Sequence, residues 1–193
     1  MRQEYIPNII TILRLVLVGP IVIGLLTRHN HLAFWLFMVA GLTDAIDGYL
    51  ARRFRWISRW GAMVDPLADK FLMVTTFLTL GYLSIFPLWL LIMFVLRELV
   101  IVIGGVIYHF RIGVYDFVPT LISKLNTCLQ IILIISLMFN LSYSLIPTLW
   151  LFILMIITFV TSLLSLVDYV VVWGKRAWLH NKQVMLLKRK EIT

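Results

Sequence analysis

Residues 32–83 read LAFWLFMVAGLTDAIDGYLARRFRWISRWGAMVDPLADKFLMVTTFLTLGYL. Two apolar runs, 32–51 and 61–83, flank a basic connection that carries Arg52, Arg53, Arg55 and Arg59. Each run has about the 20 residues that an α-helix needs to cross the hydrocarbon core of a bilayer. Yet each run contains two acids, Asp44 and Asp47 in the first, Asp65 and Asp69 in the second. Helices joined by so short a connection are antiparallel neighbours, so both acidic pairs fall towards the connection end of the hairpin.

Working outward, four further apolar stretches span roughly 9–27, 87–109, 119–140 and 146–173. Of the 193 residues, 62% are hydrophobic and 13% charged, whereas soluble domains average about 25% charged. That balance excludes a disordered chain, a nucleic-acid-binding domain and an ordinary water-soluble enzyme. A single cysteine, Cys128, excludes a disulfide framework and a cysteine-based zinc site. Of the 17 Lys and Arg, twelve fall in Arg2, the 52–59 connection, Arg111 and the tail after residue 174, and the opposite connections hold only Arg28. The positive-inside rule places both termini in the cytoplasm, and an even number of spans gives the same answer. The expected fold is an all-α integral membrane protein, a six-helix bundle over residues 1–174 with a basic cytoplasmic tail at 175–193 on the anionic leaflet. The absence of a basic, Ser-rich presequence points to a bacterial inner membrane.

Ionisable groups within spans are costly and mark function. Asp44 and Asp47 are i, i+3, and Asp65 and Asp69 are i, i+4, so each pair shares one helix face. Four carboxylates in one low-dielectric cleft repel one another. All-oxygen donors favour a hard divalent cation, Mg²⁺ or Mn²⁺, and four carboxylates suit two ions. A two-metal clamp suits displacement at phosphorus. Gly48, Gly61 and Ala62 would let a phosphate or ribose approach the backbone, and Arg52 can pair with a phosphate. On charge placement alone, an ion- or proton-coupled transporter is the competing reading, although transporters place their sites near the bilayer midplane.

The run Asp44-x₂-Asp47-Gly48-x₂-Ala51-Arg52, then eight residues, then Gly61-x₃-Asp65-x₃-Asp69 resembles the signature of the CDP-alcohol phosphatidyltransferases at every fixed position. The resemblance implies a six-span homodimer that moves a phosphatidyl group from CDP-diacylglycerol to an alcohol and releases CMP. It implies that Asp44, Asp47, Asp65 and Asp69 hold two Mg²⁺ or Mn²⁺ ions, and that Asp69 is the catalytic base. It also implies that Asp44, Gly48, Ala51, Arg52 and Gly61 shape the CDP-lipid pocket. Physical reasoning on its own does not say which carboxylate takes the proton.

Arg97 and Lys124 interrupt the fourth and fifth spans, and Arg111 follows the fourth. All three can bind a phosphate-bearing acceptor. Alternatively, Arg97 pairs with Glu98 or a motif aspartate, and Lys124 neutralises the acidic cluster. Arg14, in the first span, pairs with a helix end or an acid, or touches substrate. The opening Pro7-Asn8-Ile-Ile-Thr11-Ile-Leu-Arg14 resembles the phosphatidylglycerophosphate synthase and cardiolipin synthase branches. The segment Ser123-Lys124-Leu-Asn126-Thr127 with Gln130 resembles the cardiolipin branch more closely. The first branch uses glycerol 3-phosphate and the second phosphatidylglycerol; the reading leans to the first. Gly104-Gly105 in the fourth span permits close packing, which also suits a homodimer.

Overall fold

The computed structural model describes residues 5–54, 59–112 and 120–190, and the side chains of 12–44, 68–104 and 120–171 among them. The described residues form six α-helices and no strand: α1 (Tyr5–Leu26), α2 (Asn30–Phe54), α3 (Arg59–Tyr82), α4 (Leu88–Ile112), α5 (Leu121–Tyr143) and α6 (Thr148–Lys190). Each lies on one of the six apolar stretches. Pro87 and Pro147 directly precede α4 and α6, and their carbonyls accept the first helical hydrogen bonds, from Leu90 and Trp150. A proline there gives up no bond, because the first helical N–H groups have no partner within the helix. The helix α6 runs 43 residues, through the basic segment; no proline follows Pro147 to stop it.

Among the described residues, two helices are long and apolar enough to cross a membrane, Leu121–Tyr143 and Thr148–Val171. Only 39% and 28% of their best apolar windows are buried within the chain, so neither is the enclosed core helix of a water-soluble domain. Large apolar side chains such as Leu125, Leu149, Trp150, Phe152 and Val167 face outward along them. The described part of α1, Ile12–Leu26, is apolar as well.

The chain divides into two compact units, the break falling inside α4, α5 and α6. The first comprises Met1–Leu91 and Ile131–Phe152. In it, α1 packs against both α2 and α3. Buried stripes at helical spacing drive that packing: Val18, Ile21 and Leu25 (i, i+3, i+7) on α1, and Ala33, Phe37 and Ala40 (i, i+4, i+7) on α2. Gly24 lets the two backbones approach, since a Cβ there would lie 3.2 Å from Ala33 Cβ. Asn30 donates its side-chain N–H to Leu141 O at 3.3 Å, and Phe34, Phe139 and Tyr143 stack edge-on or tilted around that junction.

The second unit comprises Ile92–Gln130 and Ile153–Thr193, and its interior is polar. Arg97, Ser123, Asn126, Gln130, Thr158, Ser162 and Ser165 are all buried there. Asn126 Oδ1 lies 2.8 Å from Ser162 Oγ and 3.0 Å from Thr161 Oγ1. Ser123 Oγ lies 3.3 Å from the Tyr169 hydroxyl. These bonds fix α5 and α6 as antiparallel neighbours within the unit. Thr120 caps α5 by accepting the Ser123 N–H at 3.3 Å.

Three helices end on a non-glycine residue in the left-handed region: Arg28 (φ 63°), Ser84 (φ 57°) and Ser144 (φ 54°). At the first two, paired carbonyl bonds close the helix, His29 N–H to Gly24 O with Arg28 N–H to Leu25 O, and Ile85 N–H to Leu80 O with Ser84 N–H to Gly81 O. A side chain with a Cβ costs about 1 kcal/mol in that conformation. Arg28→Gly and Ser84→Gly are therefore expected to stabilise the protein by about 0.5 kcal/mol each after the glycine's greater unfolded entropy is counted. Thermal melts in detergent check this, and a lowered melting temperature for both would contradict it.

Candidate active site

The buried stripe of α1 continues one turn towards the N-terminus, to Arg14. The α2 stripe likewise continues past Ala40 to Asp44, and Asp69 lies one turn before the buried Leu72 of α3. Three helices thus bring their stripes to charged residues at one end of the packing, away from the turns at 27–29 and 83–87. The Arg14 guanidinium is buried, with 2% of the side chain exposed, and it bridges the other two. Nη2 pairs with Asp44 Oδ1 and Nη1 donates to Asp69 Oδ1. Both carboxylates are part-exposed, 38% and 41%. A fully buried guanidinium requires such compensation, and two carboxylates supply it.

One guanidinium thus gathers the first and last aspartates of the motif, from two different helices, to a single point. Asp47 lies one turn beyond Asp44 on α2, and Asp65 one turn before Asp69 on α3. Their side chains are not among those described, and neither are those of Arg52 and Arg111; the pocket positions Gly48 and Ala51 lie on α2 and Gly61 on α3, in the stretch whose side chains are likewise not described. Among the described residues no group of three acidic, His or Cys side chains converges; the described acidic pair is Asp44 with Asp69. As a donor set the pair fits a hard divalent cation, since it offers only carboxylate oxygens, on two helices that both pack against α1, part-open to solvent.

Arg97, on α4, is buried in the second unit and its fork is engaged on both sides. Nη1 pairs with Glu98, and Nη2 donates to Ser123 Oγ at 2.9 Å, with Ser123 O and Thr127 Oγ1 each at 3.4 Å. Lys124, the residue after Ser123, is exposed on another face of α5. The structure thus joins Arg97 to the start of α5, where Lys124 sits.

The polar face of α6 escaped the sequence reading. Thr158, Thr161, Ser162, Ser165 and Tyr169 recur at i, i+3, i+4, i+7 and i+11 in an otherwise apolar helix. That periodicity, the inverse of an ordinary amphipathic stripe, is the signal that identifies it.

Residues 4–174 match the family model of the CDP-alcohol phosphatidyltransferases, and the chain belongs to that family. Similar curated proteins fall in two groups. The CDP-diacylglycerol–glycerol-3-phosphate 3-phosphatidyltransferase of Cereibacter sphaeroides is 41% identical over 92 residues, 45% of this chain and 41% of that protein. The enzyme of the same name from Wigglesworthia glossinidia brevipalpis is 32% identical over 148 residues, 72% of this chain and 79% of that one. A probable CMP-forming cardiolipin synthase of Drosophila melanogaster is 32% identical over 142 residues, 65% of this chain and 44% of that one. Across most of the curated relatives it matches, the chain spans half their length or less.

Proposed function

We propose that this chain is a membrane-embedded phosphatidyltransferase that moves the phosphatidyl group of CDP-diacylglycerol to glycerol 3-phosphate and releases CMP. The observation that carries the reading is the Arg14 bridge: it brings the two outer aspartates of the motif together from separate helices, as a shared site requires. Family membership and the two glycerol-3-phosphate transferases among the relatives support the substrate pair. A second reading, with phosphatidylglycerol as the acceptor and cardiolipin as the product, is favoured by the relatives named cardiolipin synthase, which match 65–67% of the chain.

In either case the acceptor hydroxyl oxygen bonds to the β-phosphorus as the diphosphate bond to CMP breaks. Asp69 takes the hydroxyl proton, held in place through its bond to Arg14. Asp44, Asp47, Asp65 and Asp69 would hold two Mg²⁺ or Mn²⁺ ions, which supply charge neutralisation at the diphosphate. Gly48, Ala51, Arg52 and Gly61 line the CDP side, Gly48 and Gly61 by admitting the ligand to the backbone and Arg52 by pairing with phosphate. Arg97, Lys124 and Arg111 address the acceptor's phosphate, Lys124 from its exposed position on α5. We place six spans in a bacterial inner membrane, with both termini, the basic segment 175–193 and the site on the cytoplasmic side, and the chain as a homodimer. The charge bias of the connections supports that orientation.

The test is CMP release from CDP-diacylglycerol by the purified full chain with Mn²⁺ or Mg²⁺, run with glycerol 3-phosphate and, in parallel, with phosphatidylglycerol. Metal-dependent CMP with glycerol 3-phosphate alone is the expected result, and EDTA abolishes it. CMP with phosphatidylglycerol alone establishes the second reading. Ion flux into proteoliposomes without CMP from any acceptor would overturn both.

A further inference from the structure

The motif accounts for Asp44 and Asp69, but not for the buried arginine from a helix outside the motif that bridges them. Arg14 occupies a stripe position of α1 that an apolar residue would otherwise fill, in line with Val18, Ile21 and Leu25. Its two terminal nitrogens go to two carboxylates of the motif, one on α2 and one on α3, while Nε has no partner among the described residues. The guanidinium therefore does for Asp44 and Asp69 what a cation between them would do: it neutralises part of their charge and fixes their separation.

We propose that Arg14 is the resident cation of this acidic site. It holds Asp44 and Asp69 in place before metal arrives, and it competes with metal for them. This rests on the metal-site reading above. The electrostatics set the sign. A fixed positive charge a few ångströms from a divalent ion opposes its binding strongly in a low-dielectric setting. Without that charge, Asp44 and Asp69 lose the cation they share, so the metal-free protein loses stability and the site binds a cation more tightly. An arginine whose only task was to orient ligands already bound to metal would act oppositely, and its loss would weaken metal affinity by about 10–100-fold. Arg14 is thus a positioning residue whose removal has a predicted sign that a purely supporting role does not share.

The experiment titrates Mn²⁺ alone into the chelator-stripped full chain in detergent. Free Mn²⁺ is followed by its electron paramagnetic resonance signal, and thermal melts are recorded with and without the ion. Wild type, Arg14→Met and Arg14→Lys are compared. Arg14→Met is expected to bind Mn²⁺ about tenfold more tightly than wild type, to melt lower without metal, and to gain more from its addition. Arg14→Lys keeps the charge but not the fork, and is expected to stay within about threefold of wild-type affinity. Should Arg14→Met not fold, Arg14→Gln carries the same expectation, because its amide can still donate to a carboxylate. A neutral variant with equal or weaker Mn²⁺ affinity overturns the proposal while leaving the metal site intact. If wild type itself takes up no Mn²⁺, but Asp44→Asn and Asp69→Asn behave as it does, the metal-site reading fails and the proposal fails with it.

Discussion

On the proposed reading, Asp69→Asn is expected to lower CMP release by about a thousandfold, the loss that follows removal of a positioned base, while the protein stays folded. Asparagine matches the shape of aspartate, and its Oδ1 still accepts the Arg14 N–H, so the contact that α1 makes with α3 survives. The ability to take the acceptor's proton does not. Asp44→Asn keeps the Arg14–Asp69 bond and removes one proposed metal-ligand charge, so its defect is expected to be relieved in part by raised Mn²⁺, whereas that of Asp69→Asn is not. CMP release measured across a metal titration, with a thermal melt of each variant, distinguishes the two. Activity of Asp69→Asn within tenfold of wild type would remove Asp69 from the chemistry.

Arg97→Met is expected to destabilise the protein by about 3 kcal/mol, the usual cost of removing one partner of a buried ion pair. It withdraws the guanidinium from Glu98 and from Ser123, and so loosens α4 from the start of α5. The double variant Arg97→Met with Glu98→Gln, which removes the carboxylate's charge as well, is expected to regain part of that stability. Kinetics of the double variant then decide what else Arg97 does. An acceptor KM raised at unchanged kcat means that the guanidinium reaches the acceptor's phosphate as well. Recovery of both constants means that its work is confined to holding the helices.

The helices and the acidic pair were legible because both follow from period and length. Apolar runs of about 20 residues mark the six segments, and spacings of three and four put Asp44 with Asp47 and Asp65 with Asp69 on single faces. What period cannot give is the partner across a helix interface. Arg14 had an acid among its expected partners, but two acids at once require α1 to lie against both α2 and α3, and no one-dimensional pattern states that. Arg97 was similar: pairing with Glu98 was one of its alternatives, whereas the bonds to Ser123 and Thr127 come from a residue 26 positions away and one 30 away. The polar face of α6 was visible as a 3.6-residue rhythm of hydroxyls, but it reads as noise when the eye is set for apolar stripes.

The contrast between an apolar interior in the first unit and a polar one in the second bears on how the molecule is handled at the bench. Lipid tails do not compete for hydrogen bonds, so in a bilayer the Asn126, Ser162 and Ser123 contacts meet no rival. Among apolar helices it is close fit, rather than expulsion of water, that holds them together there. In a micelle, water reaches between helices and offers every buried hydroxyl and amide an alternative partner. The second unit should therefore loosen first on extraction, with faster amide exchange over residues 123–130 in harsh detergent than in a nanodisc. A loss of activity on solubilisation would then report the solvent around α5 and α6 and leave the aspartates uninformed upon.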